Sequence, residues 1–287
     1  MIDILIAVGI LGGLALLFGL VLAAASKAFY VEEDPRLAKL NECLPGANCG
    51  GCGYPGCGGY AEAVLNGEAP IGKCASGGTD CAVAMGAVMG IKADAVARKV
   101  ALVKCSGYRV FDEEGKQIAG AKLKGNYEGF KDCLAASKVG GKGPVVCKFG
   151  CLGFGSCTKA CKYGAIKVVD GVAKVNSEKC VGCMACAQVC PRQLIVPVEY
   201  DKHVRVACNS HAKGAVTIRG CSQGCVGCGL CKKICPNEAI TIEKNLCIID
   251  YSKCDSCGLC ATVCPKKLIV DTMAGTPAEI KAKDKAL

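Results

Sequence analysis

The chain has 287 residues, of which only 5% are aromatic and none is Trp, while 38 are Gly and 27 are Cys. So few large side chains cannot fill one big core, and an odd number of closely spaced cysteines excludes a simple disulfide framework in favour of thiolates in a reducing compartment. A net charge of +10 would suit nucleic acid, unless something anionic sits within the fold.

Ile4 to Ala25 is a run of 22 residues without a charged or hydrogen-bonding side chain, bracketed by Asp3 and Lys27. As helix, at ~1.5 Å per residue, it reaches ~33 Å, enough for a hydrocarbon core. Met1-Ile2-Asp3 lacks the basic start of a cleaved signal, so residues 1–27 read as a retained, single-pass anchor. Lys27 and the thiolate-rich region after it put the remainder on the cytoplasmic side of the inner membrane. Gly9 and Gly13 suit close packing on other membrane helices.

Residues 28–80 open with a short polar segment, Val31 to Asn41, and carry Cys49-Gly-Gly-Cys52-Gly-Tyr-Pro-Gly-Cys57, with Cys74 further on. This set can enclose one 4Fe–4S cube by itself, and Gly59 to Leu65 reads as a short helix leading back to Cys74. In the connecting stretch 81–141, Ala84 to Ala97 reads as helix, Ala101-Leu-Val as strand, and Tyr108 to Phe111 as the start of a hairpin around Asp112-Glu-Glu-Gly115.

Residues 142–200 and 201–270 read as two bacterial-type ferredoxin modules. The run C-x2-C-x2-C-x3-C-P occurs at Cys180, Cys183, Cys186, Cys190; at Cys225, Cys228, Cys231, Cys235; and at Cys254, Cys257, Cys260, Cys264. Three close cysteines hold one cube and the fourth reaches its neighbour, whereas zinc would call for paired C-x2-C units around one ion. A first run, Cys147, Cys151, Cys157 and Cys161, is irregular and has Lys162 where proline is expected. Crossed ligation then groups Cys147, Cys151, Cys157 with Cys190; Cys161 with Cys180, Cys183, Cys186; Cys225, Cys228, Cys231 with Cys264; and Cys235 with Cys254, Cys257, Cys260. Hairpins are expected between the runs, over Ala165 to Val175 and Ala239 to Ile249.

With the amino-terminal cube, this makes five clusters and twenty ligands. Seven cysteines remain: Cys43, Cys81, Cys105, Cys133, Cys208, Cys221 and Cys247. Cys133, Cys147 and Cys151 recur at nearly the intervals of Cys208, Cys221 and Cys225, which marks Cys105, Cys133, Cys208 and Cys221 as the set to test for a sixth cube. Cubes of about −2 each cancel the basic excess, so no nucleic-acid partner is expected. The tail 271–287 is rich in Lys and Ala, with Thr276-Pro277 a helix start.

The order of these parts resembles the B subunit of the Rnf complex: an amino-terminal membrane helix, CGGCGYPGCGGYAEA with its later Cys74, then tandem ferredoxin modules. The resemblance implies an α+β electron-transfer subunit of a membrane assembly that moves electrons between reduced ferredoxin and NAD and couples this to sodium or proton transport. It implies partner subunits met through the helix and the cluster domains, and soluble ferredoxin as electron donor. Lys159, Lys162, Lys232, Lys233, Lys266 and Lys267, close to the runs, are candidates to steer an acidic ferredoxin. The residues independently limit this chain's share. No ionisable group lies inside the span, and no strand leads into G-x-G-x-x-G, so neither an ion path nor NAD or flavin is expected here. Gly150 to Gly155 falls inside a ligand run, and His203 and His211 are the chain's two histidines. No catalytic residue is assigned.

Overall fold

The computed structural model describes residues 2–28, 34–93 and 97–272. Helix α1, Ile2–Ala28, has one basic residue, Lys27, in its last turn. Gly9–Lys27 is long and apolar enough to cross a membrane, and none of that window is buried. Leu16 and Leu22 stay 70% and 69% exposed, as expected of a helix whose solvent is lipid.

The amino-terminal cysteine domain is built on α2 (Pro35–Glu42), α3 (Cys57–Leu65) and α4 (Gly78–Met89). Helix α2 occupies what reads from sequence as a polar segment. Its start is fixed locally: Asp34 caps the helix by accepting from the Arg36 amide, and Pro35 sits where no amide partner is needed. The α4 helix begins six residues ahead of the expected Ala84 and stops at Met89, because Gly90 takes a left-handed cap. The three helices enclose Leu40, Tyr60 and Met85, all fully buried.

Strand β1 (Lys99–Val103) follows, then the small hairpin β2 (Val110–Phe111) and β3 (Gln117–Ala119), helix α5 (Cys133–Lys138) and helix α6 (Ser156–Ala160). The β4 (Ile166–Val169) and β5 (Val172–Val175) hairpin turns at Asp170-Gly171, both at positive φ, which is the two-residue turn that DG favours. After α7 (Ala185–Gln188) comes β6 (Ile195–Glu199). Strand β6 pairs antiparallel with β1, Lys99 opposite Glu199 and Val103 opposite Ile195. Residues 99–103, read from sequence as connecting chain, therefore form the first strand of the first ferredoxin module, and residues 106–141 are an excursion from within it.

The second module repeats the plan with β7 (Val204–Val206), α8 (Gly214–Gly220), α9 (Leu230–Ile234), the hairpin β8 (Ile240–Glu243) and β9 (Leu246–Ile249), α10 (Leu259–Thr262) and β10 (Ile269–Asp271). Here β10 pairs with β7 as β6 does with β1. The match is residue by residue: the Lys104 amide donates to Leu194 O at 2.8 Å, and the Ala207 amide to Leu268 O at 2.9 Å. Among the described residues, all five sheets are two-stranded. Hairpins of that size are marginal alone in water, and their inner faces are lined by buried cysteines such as Cys157, Cys180, Cys186, Cys231 and Cys260. The expected helix start at Thr276-Pro277 lies outside the described residues.

Candidate metal centres

All 27 cysteines are free of disulfides. Among the described residues no three His, Cys, Asp or Glu side chains converge as ligands of one ion. A four-thiolate zinc site gathers its sulfurs on one ion, whereas in a cube each thiolate takes its own iron.

In the first domain, Cys49, Cys52, Cys57 and Cys74 line one small cavity with Tyr60 at its base. The Tyr60 hydroxyl donates to Pro70 O at 2.9 Å and accepts from the Lys73 amide at 3.1 Å, which ties the Cys74 loop to α3. The Asn48 carboxamide accepts from the Cys57 amide at 2.8 Å. Cys81, one of the seven cysteines outside the expected ligand sets, hydrogen-bonds to the Cys74 sulfur; that bond draws the Cys74 thiol well below its usual pKa, with the Gly77 and Ser76 amides adding to the effect.

In the second module, Cys225, Cys228, Cys231 and Cys264 line one cavity, and Cys235, Cys254, Cys257 and Cys260 another. In the first module Cys161, Cys180, Cys183 and Cys186 face one another, and burial pushes the Cys186 thiol up to about 12, the other three adding to it. Thiols held protonated in this way give up their protons when iron takes their place. Backbone amides point at several of these sulfurs: Ala101 at Cys180, Ala165 at Cys161, Ala239 at Cys235 and Ser256 at Cys254, each at 3.4 Å. Such N–H···S bonds stabilise a thiolate.

The remaining centre departs from the sequence expectation. Its cavity is lined by Cys133, Cys151, Cys157 and Cys190, with Cys133 where Cys147 was expected. Cys147 instead packs against Ala121, Val145 and Cys221. Superimposing the modules in sequence explains the exchange. From Cys147 to Cys190 the first module matches the second at one constant offset, so Cys151 answers to Cys225, Cys157 to Cys231 and Cys147 to Cys221. Phe154 falls where the second module has Cys228. Glycines 153 and 155 around it have φ of 82° and 75°, against 68° and 77° at Gly227 and Gly229, so the loop is the same and only its cysteine is missing. Helix α5, from the excursion, brings Cys133 to the gap. Asp132 caps α5, accepting from the Leu134 and Ala135 amides, and also accepts from the Ser156 hydroxyl at 2.6 Å; the same hydroxyl accepts from the Cys133 amide at 2.8 Å.

Three features were missed from sequence. Arg192 donates to the carbonyls of Cys147, Gly150 and Lys142, and Arg109 to those of Cys151 and Leu152. Burial lowers both guanidinium pKa values while the surrounding cysteines work to raise them. The third is Cys247, whose sulfur lies 3.5 Å from that of Cys231. With iron on Cys231 its thiolate could only accept, which would make Cys247 the donor; the first module has Ala173 opposite Val168 at the corresponding place. Hydrogen bonds to cluster sulfurs raise the potential. Cys247→Ala should therefore lower the midpoint potential of the Cys225 centre and leave the first module's centres unmoved, as read by EPR redox titration.

The amino-terminal set lies next to the first module. A Cβ on Gly51 would come within 2.6 Å of Cys183 O, so only glycine permits this approach of the first domain to the first module. Across the same seam Lys162 Nζ donates to Ala47 O at 3.2 Å and Tyr163 to the Ser76 hydroxyl at 3.3 Å. Lys162, expected at a docking surface, is thus engaged internally. In the second module, Cys228 and Cys257 are exposed.

Comparison with known families gives three matches: residues 44–76 fit a model described as "Putative Fe-S cluster", residues 173–196 a 4Fe-4S binding domain, and residues 224–268 a 4Fe-4S dicluster domain. The chain is 43% identical to the B subunit of the Na(+)-translocating ferredoxin:NAD(+) oxidoreductase complex of Acetobacterium woodii, over 88% of this chain and 73% of the relative. It is 39% identical to the B subunit of the proton-translocating ferredoxin:NAD(+) oxidoreductase complex of Clostridium ljungdahlii, over 88% and 85%. To the B subunit of the ion-translocating oxidoreductase complex of Methanosarcina acetivorans it is 36% identical, over 86% and 90%.

Proposed function

Because the chain belongs to the B-subunit family of the ion-translocating ferredoxin:NAD oxidoreductase (Rnf) complexes, we propose that it is the membrane-anchored entry wire of such a complex, taking electrons from reduced ferredoxin and passing them to membrane partners. The observation that carries the reading is the series of cysteine sets, running from the exposed Cys228 and Cys257 to the amino-terminal set against Cys183. Five sets would each hold a 4Fe–4S cube, a one-electron carrier: Cys49, Cys52, Cys57, Cys74; Cys161, Cys180, Cys183, Cys186; Cys133, Cys151, Cys157, Cys190; Cys225, Cys228, Cys231, Cys264; and Cys235, Cys254, Cys257, Cys260.

Ferredoxin enters at the second module in this reading. Lys232, Lys233 and Lys267 are exposed there beside the ligand loops, and positive charge near an exposed centre speeds encounter with an acidic partner. The span of α1 carries no ionisable side chain from Ile4 to Ala25, so the transported ion, whether sodium or proton, is handled by other subunits. Those subunits also reduce NAD. The chain crosses the inner membrane once, with its cluster domains on the cytoplasmic face.

Deleting residues 1–27 tests this division of labour. The product should be soluble, brown and undiminished in iron, since every candidate ligand lies downstream, while complexes built with it should lose ferredoxin-driven NAD reduction coupled to ion movement. Loss of the clusters themselves on deletion would rule out a separate anchor and wire.

A further inference from the structure

Cys105, Cys147, Cys208 and Cys221 belong to none of the five sets, yet they are related to each other by the duplication. Cys105 stands two residues beyond β1 and Cys208 two beyond β7. The Cys151 amide donates to Cys105 Sγ at 3.4 Å, and the equivalent Cys225 amide to Cys208 Sγ at 3.3 Å. Cys147 and Cys221 are the other matched pair, four residues ahead of the equivalent Cys151 and Cys225.

The two pairs converge at the seam between the modules. Ala121 bridges to Cys221, and Cys147 packs into the same small cluster with Val145. A Cβ on Gly107, two residues past Cys105, would lie 3.4 Å from Cys221 Sγ. The Cys221 thiol is within electrostatic reach of those of Cys147, Cys208 and Cys105. The sulfurs are furnished as ligands are elsewhere in the chain. Cys208 also accepts from the Ser210 amide at 3.5 Å, Cys105 from the Gly107 amide and Cys221 from the Gln223 amide. Arg109 and Arg192 lie partly buried alongside, each among cysteines, and neither makes a salt bridge among the described residues. Two desolvated cations without a carboxylate need an anion, and a thiolate-bound cube supplies one.

We infer that Cys105, Cys147, Cys208 and Cys221 hold a sixth 4Fe–4S cube at the junction of the two ferredoxin modules, each module contributing one matched pair. The inference rests on the electron-wire reading and completes it: the site adjoins Cys151 on one side and Cys225 on the other, closing the gap between the first module's centres and the second's.

Iron and acid-labile sulfide counted on the full-length protein, reconstituted without oxygen from ferrous iron and sulfide, test it. Six cubes give about 24 irons per chain and five give about 20. Cys221→Ala and Cys208→Ala should each remove about four irons. The double variant should lose the same four rather than eight, because both residues serve one cube. Cys43→Ala, outside every set, should lose none. EPR should show the same single centre missing from all three depleted variants. A parent count near 20, an unchanged count in Cys221→Ala and Cys208→Ala, additive loss in the double variant, or loss of about one zinc with iron intact would each overturn the sixth cube. Should a variant shed most of its iron through misfolding, the parent count decides. A parent with no iron at all would instead bring down the electron-wire reading.

Discussion

Cys133→Ala should empty one centre of the first module, a loss of about four irons, and Phe154→Cys in the same variant should restore it. The first half follows from the cavity in which Cys133 joins Cys151, Cys157 and Cys190. The second follows from the loop. Gly153 and Gly155 hold the left-handed conformations of Gly227 and Gly229, so a thiol at position 154 would stand where Cys228 stands in the other module. The aromatic ring now there packs with Tyr127, ring centroids 5.1 Å apart, beneath α5. Phe154 is only half-buried, so removing it costs less than the roughly 3–5 kcal/mol of a fully buried Phe truncation, a cost that cluster ligation must offset for the rescue to hold. Iron counts and EPR spectra of the single and double variants decide the matter. Full iron in Cys133→Ala alone would return the fourth place to Cys147.

The other large effect is expected at the opposite end. Cys57→Ala should leave the ferredoxin-module centres reducible by ferredoxin yet bring NAD reduction by the whole complex down to background. Cys57 opens α3 and lines the amino-terminal cavity, and that domain follows α1 with little chain between. The seam at Gly51, Lys162 and Tyr163 sets it against Cys183, which on the proposed route makes it the last carrier before the membrane partners. The module spectra serve as the folding control. Onward transfer at the parental rate would place the exit elsewhere.

Local patterns carried most of this into view from the sequence. The C-x2-C-x2-C-x3-C-P runs fix their own loops, the Asp170-Gly171 turn fixes its hairpin, and the apolar run fixes α1, because each is decided by neighbours in the chain. What was missed depends on pairing across long separations. Nearly equal intervals suggested that Cys133 answers to Cys208, but the likeness is a coincidence. The strands show that Cys105 is the counterpart, and that the excursion carrying Cys133 has been inserted after it. Cys147 then passes from the expected ligand set to the seam, a change visible only once β1 is seen against β6. Arg109 and Arg192 gave no signal at all, since their partners are carbonyls brought in by the fold.

The pairing of Lys99 with Glu199 also sets a timetable. During synthesis β1 leaves the ribosome about a hundred residues before the strand that completes it, which at ~5–20 residues per second is a wait on the order of 5–20 s. The second module closes sooner, Val206 needing only Ile269. During the longer wait Cys105, Cys133, Cys147 and Cys151 emerge in turn with no finished module around them, while α1 is already available to the membrane. Long-range pairings close late for reasons of chain entropy, and here the late closure falls on a segment that carries ten cysteines, from Cys105 to Cys190. Keeping those thiols reduced and supplied with iron and sulfide for that interval is thus a demand that the topology makes on the cell, before the protein has carried a single electron.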